Sequence, residues 1–475
     1  MKRPIALFFC LYLFLSASLG AQNRPDYDKY WPQWRGPLAT GVAPHANPPI
    51  EWSENQNIRW KIKIPGKGNA SPIVWENKVL ILTAIEIDKP VSMARSMYYH
   101  KEEKRDEGDE LFFGIPLDEA VDIIRGAGNR SRGDGGKAAG DPVKFTALAI
   151  NRSDGKIIWQ STVREAVPHG YPSRDDSTLA SNSAITDGTH IFAYFGSNGL
   201  YCLDMEGNLK WEKDFGDMQT RNNFGEGSSP ALHGDTIVIN WDHEGQSFIV
   251  ALDKTNGQEL WRVDRDERTS WSTPIVVEQN NIGQVITSAT NRVQSYDISS
   301  GSIIWEMDGL TANVIPSPVF ANGLLYVMSG FRGNALKAIR LEGSRDDITG
   351  SDAIVWSYDG RNTPYTPSPL LYQGNLYFLK SNDGILSCFN AETGQTYYGP
   401  ERLPNISGVY ASPVGASGRL YIAGRNGAVL VLKHGTEFGV LAENSLDDGF
   451  QASPAIVDNE IYLKGYQNLY CIATD

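Results

Sequence analysis

The sequence has little of what most catalytic and metal-binding motifs require. It holds 4 cysteines and 7 histidines in 475 residues, and no two cysteines stand at Cys-x-x-Cys spacing. Zinc-binding motifs, the Gly-x-Ser-x-Gly nucleophile elbow and the Gly-rich phosphate-binding loop are also missing. Basic residues are outnumbered, with 43 Lys and Arg against 56 Asp and Glu, and the net charge of −13 argues against a nucleic-acid-binding protein. Long amphipathic helical patterns are nearly absent, which favours an all-β chain.

Long apolar runs are scarce too, and only one is apolar enough to enter a membrane. It extends from Ile5 to Leu15 after the basic start Met1-Lys2-Arg3, and small residues follow up to Gly20 and Ala21. This is the three-part pattern of a secretory signal peptide, and the run is shorter than the roughly 20 residues of a transmembrane helix. We therefore expect cleavage near Gly20 or Ala21 and export of a soluble monomer, either to the periplasm or out of the cell. An uncleaved membrane anchor is the alternative.

The cysteines do not form the pattern of a disulfide framework. Cys10 lies inside the apolar run without the small preceding residues that lipid attachment favours. The other three, Cys202, Cys388 and Cys471, are far apart and stand in similar apolar strand contexts. Their odd number and their surroundings predict buried free thiols.

A short phrase, usually Ser-Pro after a small residue, recurs along the chain. From Pro230 onward its prolines follow one another at steps of 44, 44, 51, 44 and 41 residues. The seven copies are Ala70-Ser71-Pro72, Ser228-Ser229-Pro230, Ser272-Thr273-Pro274, Pro316-Ser317-Pro318, Pro367-Ser368-Pro369, Ala411-Ser412-Pro413 and Ala452-Ser453-Pro454. Ser181-Asn182-Ser183 fits as an eighth copy with Ser183 in place of the proline. A period in the forties, with short β-rich runs between polar turns, predicts an all-β, eight-bladed β-propeller of four-stranded blades.

A second phrase, Ala-x-Asp-x-x-x-Gly-x-x-x-Trp, closes many copies. It is complete from Ala251 to Trp261, and related versions end at Trp159, Trp211 and Trp305. The pattern indicates a strand, a tight turn in which Gly supplies a positive φ, and an outer strand whose Trp can cover the seam between blades. With these two phrases the chain, from about residue 31 to 475, resembles the pyrroloquinoline-quinone-type (PQQ-type, quinoprotein-like) β-propeller repeat family. The family includes quinoprotein dehydrogenases, an outer-membrane assembly lipoprotein and many unassigned exported proteins, so the resemblance implies the fold and leaves the chemistry open.

The ends of the repeat predict how the ring closes. The last copy stops at Asp475 before any outer strand, whereas the segment from Asn57 to Lys61 has the form of such a strand. We therefore predict that Ile58–Ile64 completes the last blade, because this removes an open sheet edge. The predicted organisation is a signal peptide at 1–21, a latch segment at 22–56 and the propeller at 57–475.

Three segments depart from the repeat. Blade 1 carries an insertion at about 85–143 that contains a charged stretch at 101–110, a short helix predicted at 116–125 and a Gly-rich stretch at 126–140. It forms a lid or partner-binding arm, or else a disordered loop. The shorter insertion Gly343–Asp352 is expected to be an ordinary surface loop. The aromatic segment Trp31–Pro37 is best interpreted as a structural latch on the barrel wall.

One face of the ring holds the candidate site. The B–C turns and the D–A connections share this face, and they carry rings, guanidinium groups and amides, which suit a flat or polyhydroxylated ligand. The candidate binding residues are Arg221, Trp241, Trp271, Arg292, Arg332, Asn382, Tyr410 and Arg425. The D–A connections also carry Asn69, Asp176, Tyr365 and Gln451. Turn chemistry accounts equally well for the Asn and Asp residues, and the arginines could instead pair with Asp175, Asp176, Asp242 and Glu244.

Three functions stay open at this point. The family resemblance implies a PQQ-binding protein, with the quinone held by Arg, stacked on Trp and accompanied by Ca²⁺. As a dehydrogenase of alcohols or sugars it would use Asp242, Glu244 or Asp383 as base, although the chain lacks the adjacent-cysteine disulfide of many alcohol-oxidising quinoproteins. Alternatively it is a non-catalytic module that binds a small molecule or glycan, or an envelope scaffold that binds other envelope proteins. We predict a cofactor- or ligand-binding exported propeller and assign no metal ligand.

Overall fold

Eight sheets arranged as blades in a ring make up the molecule. The computed structural model describes residues 27–87, 111–112, 115–116, 141–172 and 176–474. Seven of the sheets have four strands and one has five, so the predicted all-β, eight-bladed β-propeller is confirmed. Helices within the described ranges are three single 3₁₀ turns at Tyr27–Lys29, Gly196–Asn198 and Arg221–Asn223. None of the described helices is long and apolar enough to cross a membrane.

The blades follow one another in chain order, and the strands of each blade run from A, the innermost, to D, the outermost. Blade 1 contains β2 (Ile73–Trp75), β3 (Lys78–Glu86), β6 (Val143–Asn151) and β7 (Ile157–Ala166). Blade 2 contains β8 (Ile185–Thr186), β9 (His190–Tyr194), β10 (Leu200–Asp204) and β11 (Leu209–Lys213). Blade 3 contains β12 (Ala231–His233), β13 (Thr236–Trp241), β14 (Ser247–Asp253) and β15 (Glu259–Arg265). Blade 4 contains β16 (Ile275–Gln279), β17 (Ile282–Ser288), β18 (Arg292–Asp297) and β19 (Ile303–Asp308).

The second half of the ring repeats this arrangement. Blade 5 contains β20 (Val319–Ala321), β21 (Leu324–Ser329), β22 (Ala335–Arg340) and β24 (Ile354–Ser357). Blade 6 contains β25 (Leu370–Tyr372), β26 (Asn375–Leu379), β27 (Ile385–Asn390) and β28 (Thr396–Arg402). Blade 7 contains β29 (Val414–Ala416), β30 (Arg419–Ala423), β31 (Ala428–Lys433) and β32 (Val440–Ser445). Blade 8 contains β33 (Ala455–Val457), β34 (Glu460–Lys464), β35 (Asn468–Ala473) and β1 (Ile58–Lys63).

The predicted insertion and signal peptide lie mostly outside the described residues. Within the insertion, β4 (Leu111–Phe112) and β5 (Ile115–Pro116) form a separate two-stranded sheet. The rest of the helix predicted at 116–125, the signal peptide at 1–21, Cys10, Arg174 and Asp175 are not among the described residues.

Blade 8 is assembled from both ends of the propeller sequence. Strand β1 pairs antiparallel with β35, with Lys61 opposite Tyr470. Arg152 of blade 1 adds a contact across the same seam, because its Nε donates to a Glu460 carboxylate oxygen of blade 8 at 2.6 Å and its Nη2 lies 2.6 Å from Asp458. The N-terminal strand therefore occupies the outer position that the C-terminal strands leave open.

Hydroxyl groups of the Ser-Pro phrases form a closed ring of hydrogen bonds around the axis. The backbone N–H of Ser71 in blade 1 donates to Ser183 Oγ in blade 2 at 3.0 Å, and the bond is repeated blade by blade until the Ser453 N–H donates back to Ser71 Oγ at 2.9 Å. The ring hydroxyls are those of Ser71, Ser183, Ser229, Thr273, Ser317, Ser368, Ser412 and Ser453. All are buried, so each bond satisfies an amide that water cannot reach.

This ring corrects the alignment of one repeat copy. Ser183 does not replace the proline, because it holds the hydroxyl position and Ala184 stands where the other copies have proline. The phrase recurs because each copy supplies one hydroxyl acceptor to the neighbouring blade.

The tryptophans of the second phrase cover seams between blades, as predicted. The indole N–H of Trp211 in blade 2 donates to the carbonyl of Lys254 in blade 3 at 2.9 Å. Gly257 has a φ of +72°, and a Cβ built there would lie 2.7 Å from the Trp211 ring, so the turn needs Gly both for its backbone and for the ring that packs on it. Equivalent pairs are Trp60 with Gly155, Trp159 with Gly207, Trp261 with Gly301, and Trp356 with Gly394.

The shorter insertion differs from the expected surface loop. Its strand β23 (Asp346–Asp347) pairs in parallel with Trp305–Glu306 and makes blade 4 five-stranded. The Ile348 N–H extends this pairing by donating to the Glu306 carbonyl at 2.9 Å. Trp305 is fully buried and donates its indole N–H to Gln284 of its own blade, so at this seam the added strand takes the place of a tryptophan packed on glycine.

The segment before β1 crosses the inner strands of the ring. Trp31 is 1% exposed and bridges Val74 of β2. The Arg35 side chain is buried and donates to the carbonyl oxygens of Pro369 and Pro413 at 2.6 and 2.8 Å. Burial lowers the pKa of Arg35 to about 9, because no carboxylate offsets the lost hydration.

The predicted state of the three described cysteines is confirmed. Cys202, Cys388 and Cys471 are buried free thiols. Burial raises the pKa of each thiol to about 12, which keeps the groups protonated and unreactive.

Candidate functional site

The connections that lead into the innermost strands enclose a cavity on the propeller axis. This axial cavity has a volume of about 220 Å³. Every D–A connection contributes to its wall the residue two positions before the ring hydroxyl, namely Asn69, Ser181, Gly227, Trp271, Ile315, Thr366, Tyr410 and Gln451. Trp34 of the N-terminal segment borders this cavity and a second one of about 580 Å³. Among the described residues, no B–C turn residue belongs to the wall of the axial cavity.

Hydrogen bonds fix the part of the rim that blades 7, 8 and 1 contribute. Asn69 Nδ2 donates to Gln451 Oε1 at 2.9 Å, and Gln451 Nε2 donates to the Tyr466 hydroxyl at 3.0 Å. Arg425 Nε also donates to this hydroxyl, at 2.9 Å. The guanidinium carbon of Arg425 lies 4.8 Å from the ring centroid of Tyr410, behind the cavity wall. These contacts hold Tyr410 and Gln451 in place before any ligand arrives.

Two carboxylates also line the wall. Asp176, in the connection to blade 2, accepts a hydrogen bond from the Tyr410 hydroxyl at 3.4 Å. Glu226, in the connection to blade 3, accepts from the backbone N–H of Ser197 at 2.7 Å and from its hydroxyl at 2.5 Å. A Cβ at Gly196 would overlap the Glu226 carboxylate, so the sequence leaves space for this acid. Burial raises the pKa of Glu226.

Aromatic rings provide the apolar part of the wall. The indole N–H of Trp271 donates to the Gly225 carbonyl at 2.7 Å, which fixes the orientation of the ring. The ring centroid of Phe224 lies 6.4 Å from that of Trp271. Tyr365 stacks on Phe331 with centroids 4.8 Å apart and an angle of 22° between the planes. The cavity thus combines ring faces, amides and carboxylates.

The structure divides the candidate binding residues into two groups. Trp271 and Tyr410 line the axial cavity. Trp241 does not, since it is 2% exposed and stacks on Phe248 with centroids 5.6 Å apart in the core between blades 2 and 3. The topology puts Trp241 at the end of strand β13, but the pleat turns its side chain inward.

The candidate bases have other partners. Asp242 is buried and forms an ion pair with Arg265, with 2.8 Å between Oδ1 and Nε and with both side chains fully enclosed. The expected pairing of Asp242 with one of the four candidate arginines is therefore replaced by a partner on strand β15. Glu244 accepts from the Thr269 hydroxyl at 2.8 Å, and both Glu244 and Asp383 are exposed outside the cavity wall.

The four candidate arginines lie around the mouth rather than in it. Arg221 donates to Asn313 Oδ1 at 3.3 Å, and Arg292 lies 3.6 Å from the exposed Asp308. Arg332 lies over the Phe331 ring, with its guanidinium carbon 5.5 Å from the centroid. With Arg425 behind Tyr410, none of the four belongs to the cavity wall. Asn382 contacts the rim, because its Oδ1 accepts from the Thr366 N–H at 3.0 Å.

Trp34, Phe224 and Glu226 are among the wall residues that sequence reasoning missed. The Ser-Pro phrase contained the signal that locates the wall, since the residue two positions before each ring hydroxyl points to it. Glu226 and Tyr365 stand three positions before their hydroxyls, one place earlier in the same connections.

Comparisons with known proteins find relatives that share this architecture. The family profile described as outer membrane protein assembly factor BamB matches residues 245–475. BamB of Yersinia pestis is 23% identical over 333 residues, which are 60% of this chain and 79% of that protein. The crystal structure of BamB from Moraxella catarrhalis superposes with a TM-score of 0.52 at 14% identity over 71% of this chain and 95% of its own. A europium-containing methanol dehydrogenase superposes with a TM-score of 0.61 at 10% identity over 93% and 90%.

The chain is a β-propeller with repeats of the PQQ type. At these identities the solved structures show a shared fold, and the fold alone does not define a chemistry.

The residues of this PQQ-type propeller do not fit the quinone that gives the family its name. PQQ is a tricyclic tricarboxylate, and a buried site for it calls for cationic donors. The described wall of the axial cavity contains Asp176 and Glu226 and no Lys, Arg or His. Its volume of about 220 Å³ is below the roughly 300–1,000 Å³ of sites for drug-sized ligands. Within the described residues, no three His, Cys, Asp or Glu side chains are grouped to hold a metal ion.

Proposed function

We propose that this protein is an exported, non-catalytic propeller that binds a polyhydroxylated ligand, such as the terminal unit of a glycan, in its axial cavity. The observation that carries the proposal is the composition of the wall, where Trp271 and Tyr410 offer ring faces beside the amides of Asn69 and Gln451. Sugar rings combine apolar faces with a rim of hydroxyls, so they match such a wall. The signal-peptide pattern at residues 1–21 supports export.

The existing hydrogen bonds favour binding over catalysis. Asp242 is neutralised by Arg265 in the core, and Glu226 already accepts two hydrogen bonds from Ser197. The rim of Asn69, Gln451 and Arg425 is held by its own contacts, so a ligand finds a preformed surface.

A glycan-array measurement with matched variants tests this proposal. The mature protein should bind a defined set of glycans, and Trp271→Ala should abolish the signal while the melting temperature stays close to wild type. Arg292→Ala is the matched control, because Arg292 lies on the same face but outside the cavity wall. Equal loss of binding in both variants, or no saturable glycan binding at all, would contradict the proposal.

A second candidate function is envelope scaffolding. The observation that favours it is the match of residues 245–475 to the assembly-factor profile, together with the relative in Yersinia pestis. In this case removal of the protein from its source organism should lower the amount of folded outer-membrane proteins, measured by heat-modifiability on gels. Unchanged levels would exclude the scaffold role.

A further inference from the structure

We propose that the ligand of the axial cavity carries a positive charge, so that the preferred glycans are those with free amino sugars. This inference rests on the proposed glycan-binding function and narrows its substrate class. The chemistry that would recognise the ligand is an ammonium group placed between two carboxylates and aromatic ring faces.

The carboxylates come from neighbouring connections and face the same cavity. Asp176 precedes blade 2 and Glu226 precedes blade 3, and both side chains are half-buried in the wall. Their contacts are hydrogen bonds from Tyr410 and Ser197, which are neutral donors. Among the described residues, neither acid forms an ion pair with a cation.

The cations that the structure describes near the mouth contact other groups. Arg425 donates to Tyr466 and packs behind Tyr410, and Arg221 donates to Asn313. His169 contacts the Met218 carbonyl at 2.9 Å and lies outside the cavity wall. A ligand cation would meet the carboxyl groups of Asp176 and Glu226 in this wall, and low local dielectric strengthens its attraction to an ionised carboxylate.

Ring faces beside the acids add a second attraction for an organic cation. Trp271 and Tyr410 both line the cavity, and Trp271 is oriented by its hydrogen bond to the Gly225 carbonyl. The negative face of an aromatic ring attracts a cation placed over it, with Trp the most favourable partner. A metal ion would want several close oxygen ligands instead, and the described residues provide no group of three acidic or histidine side chains.

The test compares two sugars whose amino groups are free and cationic in one and acetylated and neutral in the other. Calorimetric titrations at physiological salt would use the trisaccharide of glucosamine and the trisaccharide of N-acetylglucosamine, which share one backbone. Wild type should bind the glucosamine form at least about tenfold more tightly, as an ion pair and a cation–π contact together allow. Asp176→Asn should remove most of this preference by weakening binding of the glucosamine form.

Two further variants control for loss of folding and for general effects of charge on binding. Glu226→Gln keeps the shape of the side chain and should also lower the preference, with its fold checked by melting temperature because Ser197 contacts this carboxyl group. Glu244→Gln removes an acid on the same face outside the cavity and should behave as wild type, which controls for the net charge of −13.

The outcomes distinguish this inference from the function on which it rests. Equal binding of the two sugars, lost in Trp271→Ala, would overturn the charge preference and keep the glycan site. Binding of neutral glycans without binding of the glucosamine form would overturn the charge preference alone, and absence of binding to any glycan would overturn both. Saturable binding of Ca²⁺ alone that is lost in Asp176→Asn would make the cavity a metal site and would overturn the inference.

Discussion

At the residue scale, buried charge is compensated locally in this ring. Arg265 and Asp242 are fully enclosed and form an ion pair, and the Arg265 guanidinium also donates to Tyr296 and Thr287. Glu267 lies beside this group, 7% exposed, and accepts from the N–H groups of Asn291 and Arg292. Such an arrangement is stable with all its partners present and costly when one is removed.

Glu267 gives the protein a predictable pH dependence. Burial raises its pKa from 4.5 to about 7, against the opposing effect of the backbone hydrogen bonds and Arg265. Since the folded state holds this proton more tightly than the unfolded state, stability should fall as pH rises from 4.5 to 7. Glu267→Gln lacks this titrating group. Between pH 5 and pH 8 its free energy of unfolding should therefore rise by about 2–3 kcal/mol relative to that of wild type. Urea unfolding of wild type and variant at pH 5 and pH 8 measures this difference. Parallel pH profiles of stability for the two proteins would contradict the prediction, because the carboxyl would then have the same pKa in the folded and unfolded states.

At the element scale, the connection into strand A is the unit that builds both ring and site. Each connection places one hydroxyl in the hydrogen-bonded circle and, two positions earlier, one residue in the cavity wall. Ser412 and Tyr410 illustrate this pairing in blade 7, and Ser453 and Gln451 in blade 8. A mutation of a circle hydroxyl outside the cavity wall, such as that of Ser317, should therefore act on stability, and a mutation two positions before a hydroxyl should act on binding.

Ser317→Ala tests the hydroxyl circle. Its Oγ accepts from the Thr273 N–H at 3.0 Å, and both residues are buried. The alanine variant leaves that N–H without a partner and should lower the free energy of unfolding by about 1–3 kcal/mol. Ser317→Thr is the matched control, because Thr273 itself holds the equivalent position in blade 4, and it should stay near wild type. Denaturant unfolding of the two variants checks this, and equal stability would mean that the circle contributes little.

The strand connections also show which features of the fold and the site could be predicted from the sequence. The repeat phrases predict the eight blades, the seam tryptophans and the face that carries the cavity. Each of these features follows from a local requirement, namely strand pairing, a positive φ or a hydrogen-bond partner for a buried amide. The B–C turns share that face but do not form the wall, because they lie one strand farther from the axis, about 4.8 Å. Arg332 and Asp383 therefore remain outside it. The direction of Trp241 and the partner of Asp242 depend on packing between blades, which no local pattern contains.

At the scale of the whole molecule, the ring is held by a strand from the other end of the chain. Strand β1 pairs with β35, and its Trp60 covers the seam to blade 1 with its indole N–H 2.9 Å from the Arg152 carbonyl. The seam from blade 3 to blade 4 is built alike, with Trp261 donating to the Ile298 carbonyl at 2.8 Å. The closing seam thus has the same construction as an internal one.

Trp60→Ala and Trp261→Ala should therefore destabilise the protein by similar amounts, about 3–5 kcal/mol each. The loss follows from removing a large ring that packs on glycine and from leaving a carbonyl without its donor. Thermal and denaturant unfolding measure both variants. A large effect for Trp261 with none for Trp60 would mean that the N-terminal strand does not close the ring in solution.

The central claim is that this PQQ-type propeller carries an acidic, aromatic cavity suited to a sugar and not to the quinone. Calorimetric titration with PQQ, with and without Ca²⁺, tests it most directly. The claim predicts no saturable binding under either condition, because Asp176 and Glu226 face the ligand and none of the described arginines does. Saturable binding in the micromolar range that is lost in Trp271→Ala and retained in Arg292→Ala would contradict it.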